Sequence, residues 1–242
     1  MVERLAEIHR THDFKTSFPG DAQKRAEYLA GLPPAATPEE GWMREIFRGE
    51  SLLRAGHSEE AAKVFKALRE LILNTMTFDG AFLLKDISSR LAISYLRQAE
   101  QLNCLYNRGA ESCLFPIQPG GIHRSQEAVR KAIEEYKNML HRDPNDLESI
   151  WLLNLCHMLI GAYPQGVSRE FLIPPSAFES EHPAPRFADV APSLGVDALG
   201  HAGSAIMEDF DGDGFLDLFA SSVNTAESLV FFRNMGNGTF EK

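Results

Sequence analysis

The chain has no run of about 18 apolar residues, the length at which a helix begins to span a bilayer, so no transmembrane segment is expected. Its first residues, Met1-Val2-Glu3-Arg4-Leu5-Ala6-Glu7, lack the apolar core of a secretory leader. Basic residues are outnumbered, with 24 Lys and Arg against 34 Asp and Glu and a net charge of −10. Nucleic-acid binding needs a basic surface to displace counterions, and that class is excluded as an expectation. The eight histidines form no ligand pattern, with His141, His157 and His182 on separate elements. No Ser-His-Asp arrangement, nucleophile elbow or phosphate loop is present. Cysteine is scarce as well, at three residues: Cys104, Cys113 and Cys156.

What remains is ordinary for a globular protein, with 44% hydrophobic and 24% charged residues. At 242 residues, the chain can hold one large domain or two modest ones. The acidity is uneven. From Arg186 onward, nine acidic residues face three basic ones, so six of the ten net negative charges fall in the last quarter.

Those charges centre on Asp209-Phe210-Asp211-Gly212-Asp213-Gly214-Phe215-Leu216-Asp217. Hard divalent cations take six to eight oxygen ligands, and a tight loop with carboxylates at alternate positions can supply them. Asp209, Asp211 and Asp213 stand at loop positions 1, 3 and 5. Phe215 offers its carbonyl at position 7, and Asp217 its carboxylate at position 9. Gly214, at position 6, tolerates the positive φ of a sharp turn. An EF-hand would carry a bidentate Glu at position 12 and continue into a helix; here position 12 is Ala220. The alternation of Leu216, Leu218 and Ala220 against Asp217, Phe219 and Ser221 predicts a strand. Strand, Ca²⁺ loop, strand is the expected unit, with Asn237-Gly238 marking a hairpin turn.

Phe187-Ala188-Asp189-Val190-Ala191, the turn at His201-Ala202-Gly203, the Asp209–Asp217 loop and Phe231-Phe232-Arg233-Asn234-Met235-Gly236-Asn237-Gly238-Thr239-Phe240 together resemble FG-GAP/VCBS repeats. They are similar in particular to the opening of ASPIC/UnbV-type proteins. The resemblance implies that each repeat is a blade of a calcium-binding β-propeller, with Asp209, Asp211, Asp213 and Asp217 as ligands. A propeller needs roughly four to eight blades. The chain is therefore expected to be a fragment of a longer exported protein, extracellular, periplasmic or on the cell surface, whose signal peptide is lost by truncation.

Before this region the periodicity is helical, from Trp42 to about Gly161. Gly49, Leu52, Gly56, Ala61, Ala62 and Phe65 fall where a tetratricopeptide repeat (TPR) places its packing residues. Gly56 is expected to end one helix and Ser58 to cap the next. Leu91, Ala92 and Tyr95 repeat the first-helix pattern. Ala132, Ile133 and Tyr136 precede a stop at Asp143-Pro144, with Asn145 or Asp146 capping the following helix. Two to three helix pairs are expected, offering a concave face for a protein or peptide partner or for intramolecular packing on the propeller.

An insertion at 103–124 is read as separating the second and third pairs. It includes a Cys104–Cys113 bracket and a Phe115-Pro116-Ile117 run, and the ASPIC/UnbV-type proteins look similar here too. A long irregular insertion in a compact domain is usually functional or specially stabilised. Three readings of its cysteines stay open. Cys104 and Cys113 could form a disulfide worth ~2–3 kcal/mol, could join His123 around a transition metal, or could be buried thiols. Cys156 is read as a core residue.

The expected organisation is α+β. An N-terminal helix and linker span 1–40, and a TPR-like helical domain spans 41–162. A proline-rich linker follows at 163–185, with Phe171, Leu172, Ile173 and Phe178 too apolar for a free tether. The first propeller blade occupies 186–242. The expected function is that of an exported, non-enzymatic interaction protein with a structural Ca²⁺ site. The alternative is an enzyme with a metal or cysteine site on the 104–123 loop.

Overall fold

A computed structural model describes residues 2–11, 21–75, 81–107, 109, 111–112, 115–117, 119–179, 187–198, 200, 202–223 and 227–242. The chain is α+β, mostly helical, with one small antiparallel sheet at its C-terminal end. It divides into two compact units, Ala26–Phe187 and Met1–Arg25 with Ala188–Lys242. Among the described residues no helix is long and apolar enough to cross a membrane.

Two helices precede the main stack, α1 (Val2–Thr11) and α2 (Ala22–Ala30). The stack runs through α3 (Pro38–Arg54), α4 (Ser58–Thr75), α5 (Ala81–Tyr106), α6 (Glu127–Arg142) and α7 (Leu147–Leu159), each packed on its neighbour in sequence. Local chemistry sets the start of α3. Thr37 Oγ1 accepts the Glu40 N–H at 3.2 Å, Pro38 supplies a preset φ, and Glu39 and Glu40 face the positive end of the helix dipole. The chain leaves α3 through Gly56, at φ 84°, with the His57 N–H donating to Leu52 O at 2.8 Å.

Ser58 does not cap α4. It is the first residue of that helix, and its hydroxyl is buried with no hydrogen-bond partner. Asp146, rather than Asn145, caps α7, accepting from Ser149 N–H at 3.5 Å and from Ser149 Oγ at 2.9 Å.

α3 approaches α4 closely at Gly49. A Cβ there would stand 2.4 Å from the Phe65 ring, so only glycine lets α3 reach that far into the wholly buried Phe65. This core continues through Leu68, Ile72, Ile87 and Leu91. A second core joins α5, α6 and α7 through Val129, Tyr136, Leu140 and Leu153, and Tyr95 packs against both. Between the helices, Arg69 pairs with Glu135 at 2.5 Å, Arg90 with Glu50, and Lys85 with Asp143 at 2.8 Å.

The insertion read at 103–124 starts later than expected: α5 runs unbroken for 26 residues to Tyr106 and packs on both α4 and α6, and α6 begins at Glu127.

Much of the stretch read as a linker is folded onto α7. Asn154 donates to Phe171 O at 2.7 Å and accepts from the Ile173 N–H at 3.0 Å. The Tyr163 hydroxyl donates to Ile173 O at 2.6 Å. Phe178 sits 4.9 Å from the Phe115 ring and 6.2 Å from those of Trp151 and Tyr163. The segment's apolar residues pack as their composition suggested, with Phe171 against the second core and Phe178 in the aromatic cluster. Residues 180–186 lie outside the described residues.

A four-residue helix, α8 (Ala191–Leu194), precedes the sheet. The sheet is a meander of β1 (Ala202–Glu208), β2 (Asp217–Ser222), β3 (Val230–Asn234) and β4 (Phe240–Glu241), in that spatial order. Its register pairs Glu208 with Asp217, Phe219 with Phe231, and Asn234 with Phe240. Phe219 and Phe231 stack 4.9 Å apart, with Phe210 edge-on at 5.0 Å from Phe219, while Phe232 is buried on the other face. The β3–β4 reversal uses positive φ at Gly236 and Gly238, closed by Met235 N–H donating to Thr239 O at 3.0 Å.

Candidate metal centre

The acidic loop joins β1 to β2, and its shape follows from side chains bonding their own backbone. Asp209 Oδ1 accepts the N–H of Gly212 at 2.8 Å and of Asp213 at 3.1 Å, and its Oδ2 accepts that of Gly214 at 3.0 Å. Asp211 Oδ1 accepts from Asp213 N–H at 3.1 Å, and Asp213 Oδ1 from Phe215 N–H at 2.9 Å. Short carboxylates competing for nearby amides in this way favour a turn over helix or strand. The turn needs left-handed backbone at Gly212 (φ 78°) and Gly214 (φ 89°), conformations costly for residues with a Cβ.

Asp217 closes the loop from the sheet side. It is the first residue of β2 and has no exposed surface. Its Oδ2 accepts from Phe210 N–H at 3.2 Å and its Oδ1 from Asn234 N–H at 2.8 Å, so one carboxylate ties the loop to β3. Asn234 also donates from Nδ2 to Leu216 O at 3.0 Å. Phe215 lays its ring over Gly236, where a Cβ would come within 2.6 Å.

The four aspartates separate by position. Asp209, Asp211 and Asp217 each present a carboxylate oxygen within 4.8 Å of the others. Asp213 stands apart from that group, with its Oδ2 3.7 Å from Arg233 Nη2. Arg233 Nε lies 2.6 Å from Asp211 Oδ2. Reading the motif alone missed both Arg233 and Asn234, and their signal was placement: both stand at the β3 end that pairs back across the loop.

The donor set is all oxygen, which suits a hard cation and not a thiolate-seeking metal. Asp217 adds a physical reason for a cation. A fully buried carboxylate is stable when it is paired or metal-bound, and among the described residues Asp217 has hydrogen bonds but no ion pair.

The other candidate region gives less. Cys113 and the side chain of Cys104 lie outside the described residues, and with them the disulfide and thiol-metal readings. His123 is described: its N–H donates to Leu159 O at 2.8 Å, its Nδ1 is buried with no partner, and burial holds its pKa below the ordinary histidine range. Cys156 is a buried thiol pushed up to about 12 by desolvation, an inert core residue. His157 is buried with neither ring nitrogen bonded, and desolvation, then Lys137 and Arg130, depress its pKa.

Comparison with known proteins adds no relative: no family model, curated protein or solved structure matches the chain.

Proposed function

We propose that this chain is an exported, non-enzymatic interaction protein in which Ca²⁺ bound by Asp209, Asp211 and Asp217 stiffens an FG-GAP/VCBS-type propeller blade. The observation that carries the reading is the buried Asp217 carboxylate meeting two loop carboxylates, with no ion pair of its own among the described residues. Bound Ca²⁺ would neutralise charges that otherwise repel, so occupancy and folding of the loop are coupled. The Phe215 carbonyl would add to the oxygen shell, and Asp213 would join it only by turning away from Arg233.

The four-stranded antiparallel meander is consistent with a blade, and the fit of Gly49 to Phe65 is consistent with TPR-like packing of α3 on α4. A cavity of about 520 Å³ between α4, α5 and α6 supports the interaction role. Its lining sets Arg69, Lys85 and Arg142 against Glu70, Glu135 and Asp143, with Arg69 paired to Glu135 and Lys85 to Asp143, beside Leu73, Leu84 and Met139, a mixture suited to an extended peptide with apolar residues and little net charge.

Melting of chelator-treated protein with Ca²⁺ or Mg²⁺ tests the reading. The expected result is a melting temperature that climbs with Ca²⁺ concentration and responds weakly to Mg²⁺, since Mg²⁺ demands tighter octahedral geometry and keeps its waters. A melting temperature indifferent to Ca²⁺ would reduce the loop to an acidic turn.

A further inference from the structure

The cavity of about 520 Å³ between α4, α5 and α6 sorts its polar side chains into two groups. Four of them are paired across the helices, Arg69 with Glu135 and Lys85 with Asp143. The other four are not. Glu70, Ser88, Asn138 and Arg142 line the same space, and among the described residues their side chains have no hydrogen bond or ion pair. Ser88 is the buried member of this set, at 7% exposed, yet its hydroxyl keeps accessible surface where that of Ser58 has none. Buried hydroxyls are nearly always bonded, so an unbonded one that a cavity can reach marks a place for a ligand or a water.

Glu70 and Arg142 stand toward opposite ends of the cavity. Arg69, the residue before Glu70, pairs with Glu135, which puts Glu70 at the Glu135 end. Arg142 lies seven residues further along α6, next to Asp143 and its partner Lys85. Two helical turns separate those α6 positions by about 10 Å. An extended chain of three residues has about the same reach, roughly 10 Å. Between the two ends the surface is apolar, with Leu73 of α4, Leu84 of α5 and the buried Met139 of α6.

We propose, resting on the peptide reading of this cavity, that it holds a short unblocked peptide of about three residues by both of its ends. The peptide's ammonium group pairs with Glu70. Its terminal carboxylate pairs with Arg142, whose planar guanidinium can offer two parallel N–H donors. An apolar central side chain lies against Leu73, Leu84 and Met139. Ser88 and Asn138 bond the peptide groups, each of which carries a donor and an acceptor. The pairing of the other charges leaves one anion and one cation over, so a ligand with one charge of each sign leaves the site neutral. The site lies wholly within the helical unit and is independent of the calcium reading.

The test is an NMR titration of the ¹⁵N-labelled full chain with alanyl-leucyl-alanine and with its N-acetylated, C-amidated and doubly blocked forms. The free tripeptide is expected to bind saturably at one site, with shifts around Glu70, Ser88 and Arg142. Each single block should weaken binding at least threefold and both together about tenfold, since exposed charge pairs are individually modest. Glu70→Gln should abolish the preference for a free amine, and Arg142→Gln that for a free carboxylate, each leaving the other preference in place. Both side chains are exposed and have no partner among the described residues, so neither change disturbs the fold. Equal affinity for the doubly blocked form would overturn the proposal while leaving the cavity a peptide site. No saturable binding of any form would overturn both. A preference for free ends that survives both substitutions would also overturn the proposal.

Discussion

Arg233 Nε lies 2.6 Å from Asp211 Oδ2, and its Nη2 lies 3.7 Å from Asp213 Oδ2, so one guanidinium faces two carboxylates of the acidic loop. In the calcium reading this arginine is a resident positive charge beside the cation. Replacing it by glutamine removes that charge while keeping a hydrogen-bond donor. We expect Arg233→Gln to bind Ca²⁺ roughly three- to tenfold more tightly at low salt, with the difference shrinking at high salt as screening takes over. Calorimetric titration at two ionic strengths checks this. Weaker binding in the variant would mean that Arg233 orients Asp211 and does not oppose the metal.

The carboxylates should rank by position. Asp209 and Asp217 bond three and two backbone amides and also face the shared centre, whereas Asp213 stands outside it. We expect Asp209→Asn and Asp211→Asn to lower Ca²⁺ affinity at least tenfold, a loss of about 1.4 kcal/mol or more. Asp213→Asn should cost less. Side-by-side titrations of the three variants decide the order.

Gly49→Ala places a methyl 2.4 Å from the wholly buried Phe65 ring. Alanine gains up to about 1 kcal/mol in helix propensity over glycine. Overpacking of a tight core costs about 1–3 kcal/mol. The ring is enclosed and cannot withdraw freely, so we expect net destabilisation, read as a lower urea midpoint with an unchanged slope.

Asn154 holds the segment after α7 from two sides, bonding Phe171 O and the Ile173 N–H. Asn154→Leu leaves both backbone groups without their partner, at about 1–3 kcal/mol per buried group. Amide exchange should accelerate across residues 163–178, while protection in α3 and α4 is retained.

His157 supplies a pH dependence. Its folded pKa lies below the ordinary histidine value of 6.5, so between the two values the unfolded chain binds more protons than the folded one. Stability then rises with pH across that window and is lost as pH falls below about 6.5 toward the folded pKa. His157→Gln should lose less stability than the wild type between pH 7.5 and pH 5, as measured by melting temperature. An identical pH slope in both proteins would contradict this.

Several features were legible in sequence because they are local. Strand character after the acidic loop could be read from the alternation through Leu216–Ser221, and a cap at Asn145 or Asp146 could be read after the Asp143-Pro144 stop, the structure choosing Asp146. The loop's aspartates were visible because their spacing is itself the chemistry. What was not legible depends on residues far apart. Arg233 meets Asp211 only through the pairing of β3 with β2. Ser58 reads as a cap locally, but it is buried in the packed stack with an unpartnered hydroxyl. The start of the insertion was read too early, at Asn103, because nothing local marks how far α5 runs, and the helix continues to Tyr106. The apolar residues after residue 163 announced packing despite the prolines, but the anchor, Asn154 on α7, is a distant polar residue to which nothing local points.

Calorimetric titration of chelator-treated protein with Ca²⁺, wild type beside Asp217→Asn, tests the central claim most directly. Asp217 is the buried carboxylate around which the site is argued, and asparagine keeps its shape and its Oδ1 bond to the Asn234 N–H while removing the charge. One saturable Ca²⁺ site in the wild type, weakened at least tenfold in the variant, is the expected result. No saturable binding to folded wild type, or equal affinity in both proteins, would contradict it.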